Sequence, residues 1–206
     1  MISKTKTKLG FLASARGTNM QAIIDACKSG ELTAQPAVVI SNNRDSGALV
    51  RARDEGIAAY HLSSSAYPDP EQLDQKITAT LQEHAVDMVI LAGYMKKIGQ
   101  HTLAAFKSRI LNIHPALLPK YGGAGMYGTH VHAAVIANGE KETGATIHVV
   151  AGDYDSGPIL AQKKVTVSAT DTAETLSGKV LAIEHALYVE TLNRILKGEI
   201  QLPGSK

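Results

Sequence analysis

The chain has 206 residues, 44% hydrophobic and 19% charged, with 21 Lys and Arg against 19 Asp and Glu. That length suits one α/β domain with a sizeable core. The net charge of +2 argues against a surface built for nucleic acid, and no apolar run approaches the ~18–20 residues of a membrane span. The single cysteine, Cys27, excludes an internal disulfide framework and a multi-Cys zinc site. Aromatic residues are sparse, two Phe and seven Tyr without Trp, whereas there are eight histidines. The basic start, Met1 to Lys8, leads into strand and turn rather than a secretory apolar core. The expectation is a soluble, cytoplasmic α/β protein in which one histidine carries the chemistry.

Short apolar runs alternate with helical stretches. Leu9–Ala13 reads as a strand; Met20, Ile23, Ile24 and Cys27 follow at helical spacing, with Gly30 as the stop. Ala37–Ile40 is a second strand, and Ser46 caps a helix to Glu55. Ala58–Leu62 is a third strand, and Pro70 opens a helix carrying Leu73, Ile77 and Leu81 on one face. Met88–Leu91 and Ile110–Ile113 are runs of the kind a parallel sheet buries on both faces. Val131–Asn138 reads as a helix. Ala145–Val150 and Ile159–Val167 are strands close enough to pair antiparallel. Asp171-Thr-Ala-Glu174 suggests a capping box opening a last helix to about Lys197. Strands separated by helices imply right-handed βαβ units and a mostly parallel sheet, mixed in its C-terminal part. No linker or repeat divides the chain, so residues 1–206 form one domain.

Two motifs carry chemistry. Ser14-Ala-Arg-Gly-Thr-Asn19 lies where a strand turns into a helix, and free N–H groups with the positive end of the helix dipole suit an anion there. The loop lacks the dinucleotide glycine pattern and a P-loop lysine, and an ordinary capped turn fits it equally well. Leu111-Asn-Ile-His-Pro115 places Asn112 and His114 on one strand face, at the strand end where open α/β sheets bind ligands. An Asn amide can donate to an oxyanion, and a His can do the same or move a proton. A carboxylate nearby would favour the imidazolium, and Asp155 in the Asp153–Pro158 turn is the candidate. A plain hydrogen-bonded pair holding a turn also fits these residues. His130 and His132 lack carboxylate or Cys companions at metal-ligand spacing, so no metal is expected. His148 reads as a structural histidine that could support Asp155. His61, His84 and His101 read as surface or packing residues.

Ser14–Asn19 ahead of Met20-Gln-Ala-Ile23, Leu91-Ala-Gly-Tyr-Met95, Asn112-Ile-His-Pro-Ala-Leu-Leu-Pro-Lys120 and Asp153-Tyr-Asp-Ser-Gly-Pro158 together resemble the phosphoribosylglycinamide formyltransferase family, in the family's order and across nearly the whole chain. The resemblance implies an α/β formyltransferase fold, with a Rossmann-like nucleotide half near residues 8–115 and a folate half near 116–206. It implies formyl transfer from 10-formyltetrahydrofolate, as co-substrate, to the amino group of glycinamide ribonucleotide in purine biosynthesis. Its partners are then small molecules, with no metal, nucleic acid or membrane, and the chain is a monomer or homodimer. Asn112, His114 and Asp155 become the catalytic set, and Gly17, Thr18, Asn19 and Glu184 hold the substrate phosphate or ribonucleotide. Met95, Lys96, Lys97, Ile98, Asn112, Ala151, Gly152, Asp153, Tyr154 and Asp155 line the folate.

The chain departs from that pattern at Ala15, where a Gly is common, and at Lys96, where an Arg is usual and a point charge loses bidentate contact. Leu181 stands where a polar residue often meets the phosphate, and Pro70 near an Arg position of some members. The glycine-rich Tyr121–Gly128 stretch suits a mobile lid. The rival readings are a 10-formyltetrahydrofolate hydrolase, which usually carries an extra N-terminal domain, formyltransferases of initiator tRNA or nucleotide sugars, and a non-catalytic nucleotide- or folate-binding module.

Overall fold

The computed structural model describes residues 6–204; the basic stretch Met1–Thr5 lies outside the described residues. Seven strands, β1 (Thr7–Leu12), β2 (Ala34–Ser41), β3 (Ala58–His61), β4 (Met88–Leu91), β5 (Ile110–His114), β6 (Glu142–Val149) and β7 (Ile159–Thr166), form one sheet in the order β3-β2-β1-β4-β5-β6-β7. The first five are parallel, as the alternation with helices predicts, and β7 pairs antiparallel with β6, as the short connection between them predicts; β6 also pairs antiparallel with β5, although α5 lies between the two. Six helices flank it: α1 (Thr18–Ser29), α2 (Gly47–Asp54), α3 (Pro70–Glu83), α4 (Gln100–Ala105), α5 (Thr129–Ala137) and α6 (Ala173–Leu196). This is a single-domain α/β fold.

The sheet buries both faces. Met20, Ile23, Leu49, Val135, Val180 and Leu187 of α1, α2, α5 and α6 cover one side, and Ile77, Leu81 and Phe106 from α3 and the end of α4 cover the other. Four-residue β4, MVIL, is buried at every position, which explains its unbroken apolar run. Tyr188 of α6 is fully buried, and its hydroxyl lies 3.1 Å from the Leu91 carbonyl and 3.0 Å from that of Leu111, pinning α6 across β4 and β5.

Three local details differ from expectation. The short α4 has no sequence counterpart above, because its N-terminus is capped from α3: Asp74 accepts from the main chain of His101 at 2.7 Å and Thr102 at 3.2 Å. The cap of α6 is one residue later than Asp171. Thr172 and Thr175 form the reciprocal box, and Asp171 is free to accept from Lys179 Nζ at 2.7 Å. In β6 the pairing begins at Glu142 rather than Ala145. Among the described residues no helix is long and apolar enough to cross a membrane.

Candidate active site

Strand order reverses direction about β1, which lies between β2 and β4, and a crevice opens beyond the carboxyl ends of the parallel strands there. The cleft measures about 460 Å³ and is lined by the segments leaving β1, β4 and β5, by the 123–128 loop, and by α5 and α6. Ser14 fastens two of these segments: its hydroxyl accepts from Met95 N at 2.8 Å, and its N–H donates to Gly93 O at 3.0 Å.

At one end lies the N-terminus of α1. Gly17 is its cap residue, with φ 71°, and no side chain caps the helix. A side chain there is excluded twice, by the left-handed backbone and because a Cβ would sit 2.8 Å from Ala48 Cβ. The free N–H groups of the first turn therefore face the cleft as an anion site. Asn19 is buried and donates to Glu184 Oε2 at 2.7 Å, while its own carbonyl oxygen is buried without a partner among the described residues. Burial pushes the Glu184 carboxyl up to about 7, and the Asn19 bond only partly opposes it. Gly17, Thr18, Asn19, Glu184 and Leu181 all line this end, as does Arg16.

At the other end the carboxyl terminus of β5 brings Asn112 and His114 together with Asp155, whose backbone is held at φ 53° in the turn before β7. His114 Nδ1 is 3.4 Å from Asp155 Oδ2, and His114 Nε2 is 2.7 Å from the carbonyl of Tyr121. Because a carbonyl only accepts, Nε2 carries the proton and Nδ1 turns a lone pair to the carboxylate. Gly123 N–H donates to Asp155 Oδ2 at 3.0 Å, so both side chains also hold the glycine-rich loop.

The electrostatics of this end come from burial as much as from charge. Burial holds the His114 imidazole below the ordinary histidine value; Asp155 and the bond to Tyr121 push it upward without prevailing, and His148 acts with the burial. Burial thus opposes the imidazolium that the carboxylate alone would favour. For Asp155 burial acts upward, but the neighbouring His148 and His114 rings and the Gly123 N–H together hold it below the usual carboxylate range.

Two histidines assigned no catalytic part by sequence belong to this end. His148 is 2% exposed, with Nε2 3.0 Å from Asn112 Nδ2 and 3.4 Å from Asp155 Oδ1. The signal was pairing: β5 and β6 run antiparallel with Asn112 directly opposite His148. His132, in the first turn of α5, lines the cleft with a buried Nδ1 that has no partner among the described residues. Asn112 also differs from expectation: its N–H₂ points inward to His148 and, at 3.4 Å, to Asp155, rather than into the cleft.

Of the residues expected along a folate, Met95, Asn112, Tyr154 and Asp155 line the cleft, whereas Lys96, Lys97, Ile98, Ala151, Gly152 and Asp153 do not. Ile98 is buried in the core beneath. Lys97 and Asp153 form an exposed 3.4 Å ion pair that ties the two segments at the rim. Cys27 lies away from this cleft, and burial pushes its thiol up to about 11. Among the described residues no cluster of His, Cys, Asp or Glu has a metal-holding arrangement.

Residues 7–192 match the family model described as formyl transferase. Phosphoribosylglycinamide formyltransferase of Escherichia coli K12 is 37% identical over 191 residues, covering 93% of this chain and 88% of the relative. The chain belongs to the formyl transferase family, in its phosphoribosylglycinamide formyltransferase group. The solved structure of glycinamide ribonucleotide transformylase 1 from Symbiobacterium toebii superposes with a TM-score of 0.90 at 39% identity, covering 97% of this chain and 92% of that one. A formyltetrahydrofolate deformylase from Pseudomonas syringae pv. tomato shares the formyl transferase fold with a TM-score of 0.87. It is 25% identical, and the match covers 98% of this chain and 65% of that chain.

Proposed function

We propose that the chain transfers the formyl group of 10-formyltetrahydrofolate to the amino group of glycinamide ribonucleotide, with Asn112, His114 and Asp155 at the reacting carbon. One observation carries this reading: a single cleft holds an uncapped helix N-terminus at one end and a partly buried Asn–His–Asp set at the other. A substrate with a phosphate and an amine at opposite ends spans both. Gly17, Thr18 and Asn19 hold the phosphate with main-chain and side-chain donors, and a protonated Glu184 adds another. Met95 and Tyr154, each about half exposed at the cleft, offer apolar surface to the folate.

The amine attacks the formyl carbon, and its carbonyl π pair becomes the oxyanion. The amine's proton passes to the free Nδ1 of His114, where Asp155 stabilises the new imidazolium 3.4 Å away. As the bond to the folate nitrogen breaks, that nitrogen takes a proton from the same pair. Asn112, turned with its N–H₂ to the cleft, donates to the oxyanion. A neutral His114 suits this role better than a permanent imidazolium, since only the neutral ring can accept.

The structural likeness to a deformylase favours one second reading, in which water replaces the amine. Deformylation of 10-formyltetrahydrofolate, followed with and without glycinamide ribonucleotide, separates the two. Turnover only with the ribonucleotide supports transfer, turnover without it supports hydrolysis, and none in either case leaves a binding module.

A further inference from the structure

The inward turn of Asn112 has a physical cause in β6. His148 Nδ1 lies 3.1 Å from the Val149 carbonyl, which only accepts, so Nδ1 carries a proton, and in the neutral ring Nε2 then presents a lone pair. Asn112 answers that lone pair with its N–H₂ at 3.0 Å. The imidazole is almost wholly buried, so solvent cannot readily take the place of either partner. The amide end facing the cleft is therefore set by what His148 offers on the other side.

We propose, on the transfer reading above, that His148 is a positioning residue that decides which end of the Asn112 amide meets the reacting formyl group. With Nε2 bare, Asn112 is held with its N–H₂ inward. With Nε2 protonated, the imidazolium becomes a donor to Asp155 Oδ1, 3.4 Å away, and to the Asn112 carbonyl. The amide then turns by half a revolution and its N–H₂ faces the oxyanion. The charged or titratable groups around this pair are Asp155 from the turn before β7, His114 from β5 and, beyond His114, His132 from α5.

His148→Leu removes both hydrogen-bonding states, whereas His148→Gln can present either a carbonyl or an N–H₂ to Asn112. His148→Leu should lower kcat by about 10²-fold, the scale of a lost oxyanion donor, with KM for both substrates nearly unchanged, and His148→Gln should recover most of the loss. In an Asn112→Ala background His148→Leu should cost almost nothing further. Additive losses in the double variant, or a Gln variant as poor as Leu, would mean a packing role and overturn the proposal while leaving the transfer reading intact. Long-range ¹H–¹⁵N spectra of the protein test the arrangement without turnover. The Nδ1–H form of His148 is expected in the free protein, and an Nε2–H neutral tautomer overturns the proposal even if the transfer assay itself fails.

Discussion

The two ends of the cleft are built from different materials. At the α1 end the donors belong mostly to the main chain, exposed because Gly17 supplies no cap and no Cβ. At the β5 end three imidazoles, one carboxylate and one amide surround a small space, and apart from the Gly123 N–H the polar groups are side chains. The first end should tolerate polar substitutions nearby but no change of backbone shape. The second should tolerate neither a lost nitrogen nor a misplaced proton. Binding and chemistry are thereby separable by mutation.

The largest separation is expected at the chemical end. His114→Ala and Asp155→Asn should each lower kcat by about 10³-fold, within the range of general acid–base catalysis. Asn112→Ala should cost about 10²–10³-fold. Ribonucleotide affinity, measured by calorimetry, should stay close to wild type in all three. A His114→Ala protein with near-normal turnover would remove His114 from the mechanism.

Gly17→Ala should do the reverse. Its φ of 71° and the 2.8 Å approach to Ala48 Cβ force the loop to move, at a cost of about 1–3 kcal/mol. If that strain falls on the bound form, the ribonucleotide KM rises about tenfold or more with kcat retained at saturation. Steady-state kinetics at fixed folate, together with a thermal melt, divide the cost between binding and stability.

How far these two ends could be read from sequence follows the same division. The strand-to-helix loop and the Asn112–His114 alternation are local patterns, and both lie where the periodicity put them. The strand Met88–Leu91 was legible for a similar reason, since a run buried on both faces has no other home. What was not legible depends on pairing between distant segments. His148 reads from sequence as a support for Asp155, which it meets at 3.4 Å, but its contact with Asn112 arises only because β6 runs antiparallel beside β5 in the register that sets the two opposite. The downward pull on the His114 pKa depends on burial that no spacing reveals, and α4 depends on a carboxylate 26 residues before its first residue, Asp74 ahead of Gln100.

A pH effect belongs to the phosphate end, through Glu184. Its carboxyl is pushed from 4.5 to about 7 by burial, so the folded protein binds a proton there that the unfolded chain releases above about pH 4.5. The contribution of this group to stability is complete at low pH and is lost as pH rises from about 4.5 through 7. Glu184→Gln should flatten that part of the stability–pH curve, by up to about 3 kcal/mol on the scale of 1.4 kcal/mol per pKa unit. Chemical denaturation at pH 5 and pH 8 measures it. The ribonucleotide KM of the wild type should also rise above pH 7, where an ionised Glu184 repels the phosphate, and the Gln variant should lack that rise.

The smallest expected effect is at Arg16. Among the described residues it is the one lining side chain of the cleft with a permanent positive charge, and it stands in the α1 loop, its carbonyl fixed by Arg51 Nε at 3.0 Å. Because the residue is exposed, its attraction for a phosphate is weakened by water and by salt, at about 1 kcal/mol or less. Arg16→Ala should therefore raise the ribonucleotide KM only about three- to fivefold at low ionic strength, and the difference from wild type should shrink as salt is added. The main-chain donors behind it keep most of the affinity. An increase of a hundredfold that persists in salt would show instead that a side chain carries the phosphate, and the contrast between a main-chain end and a side-chain end would fail.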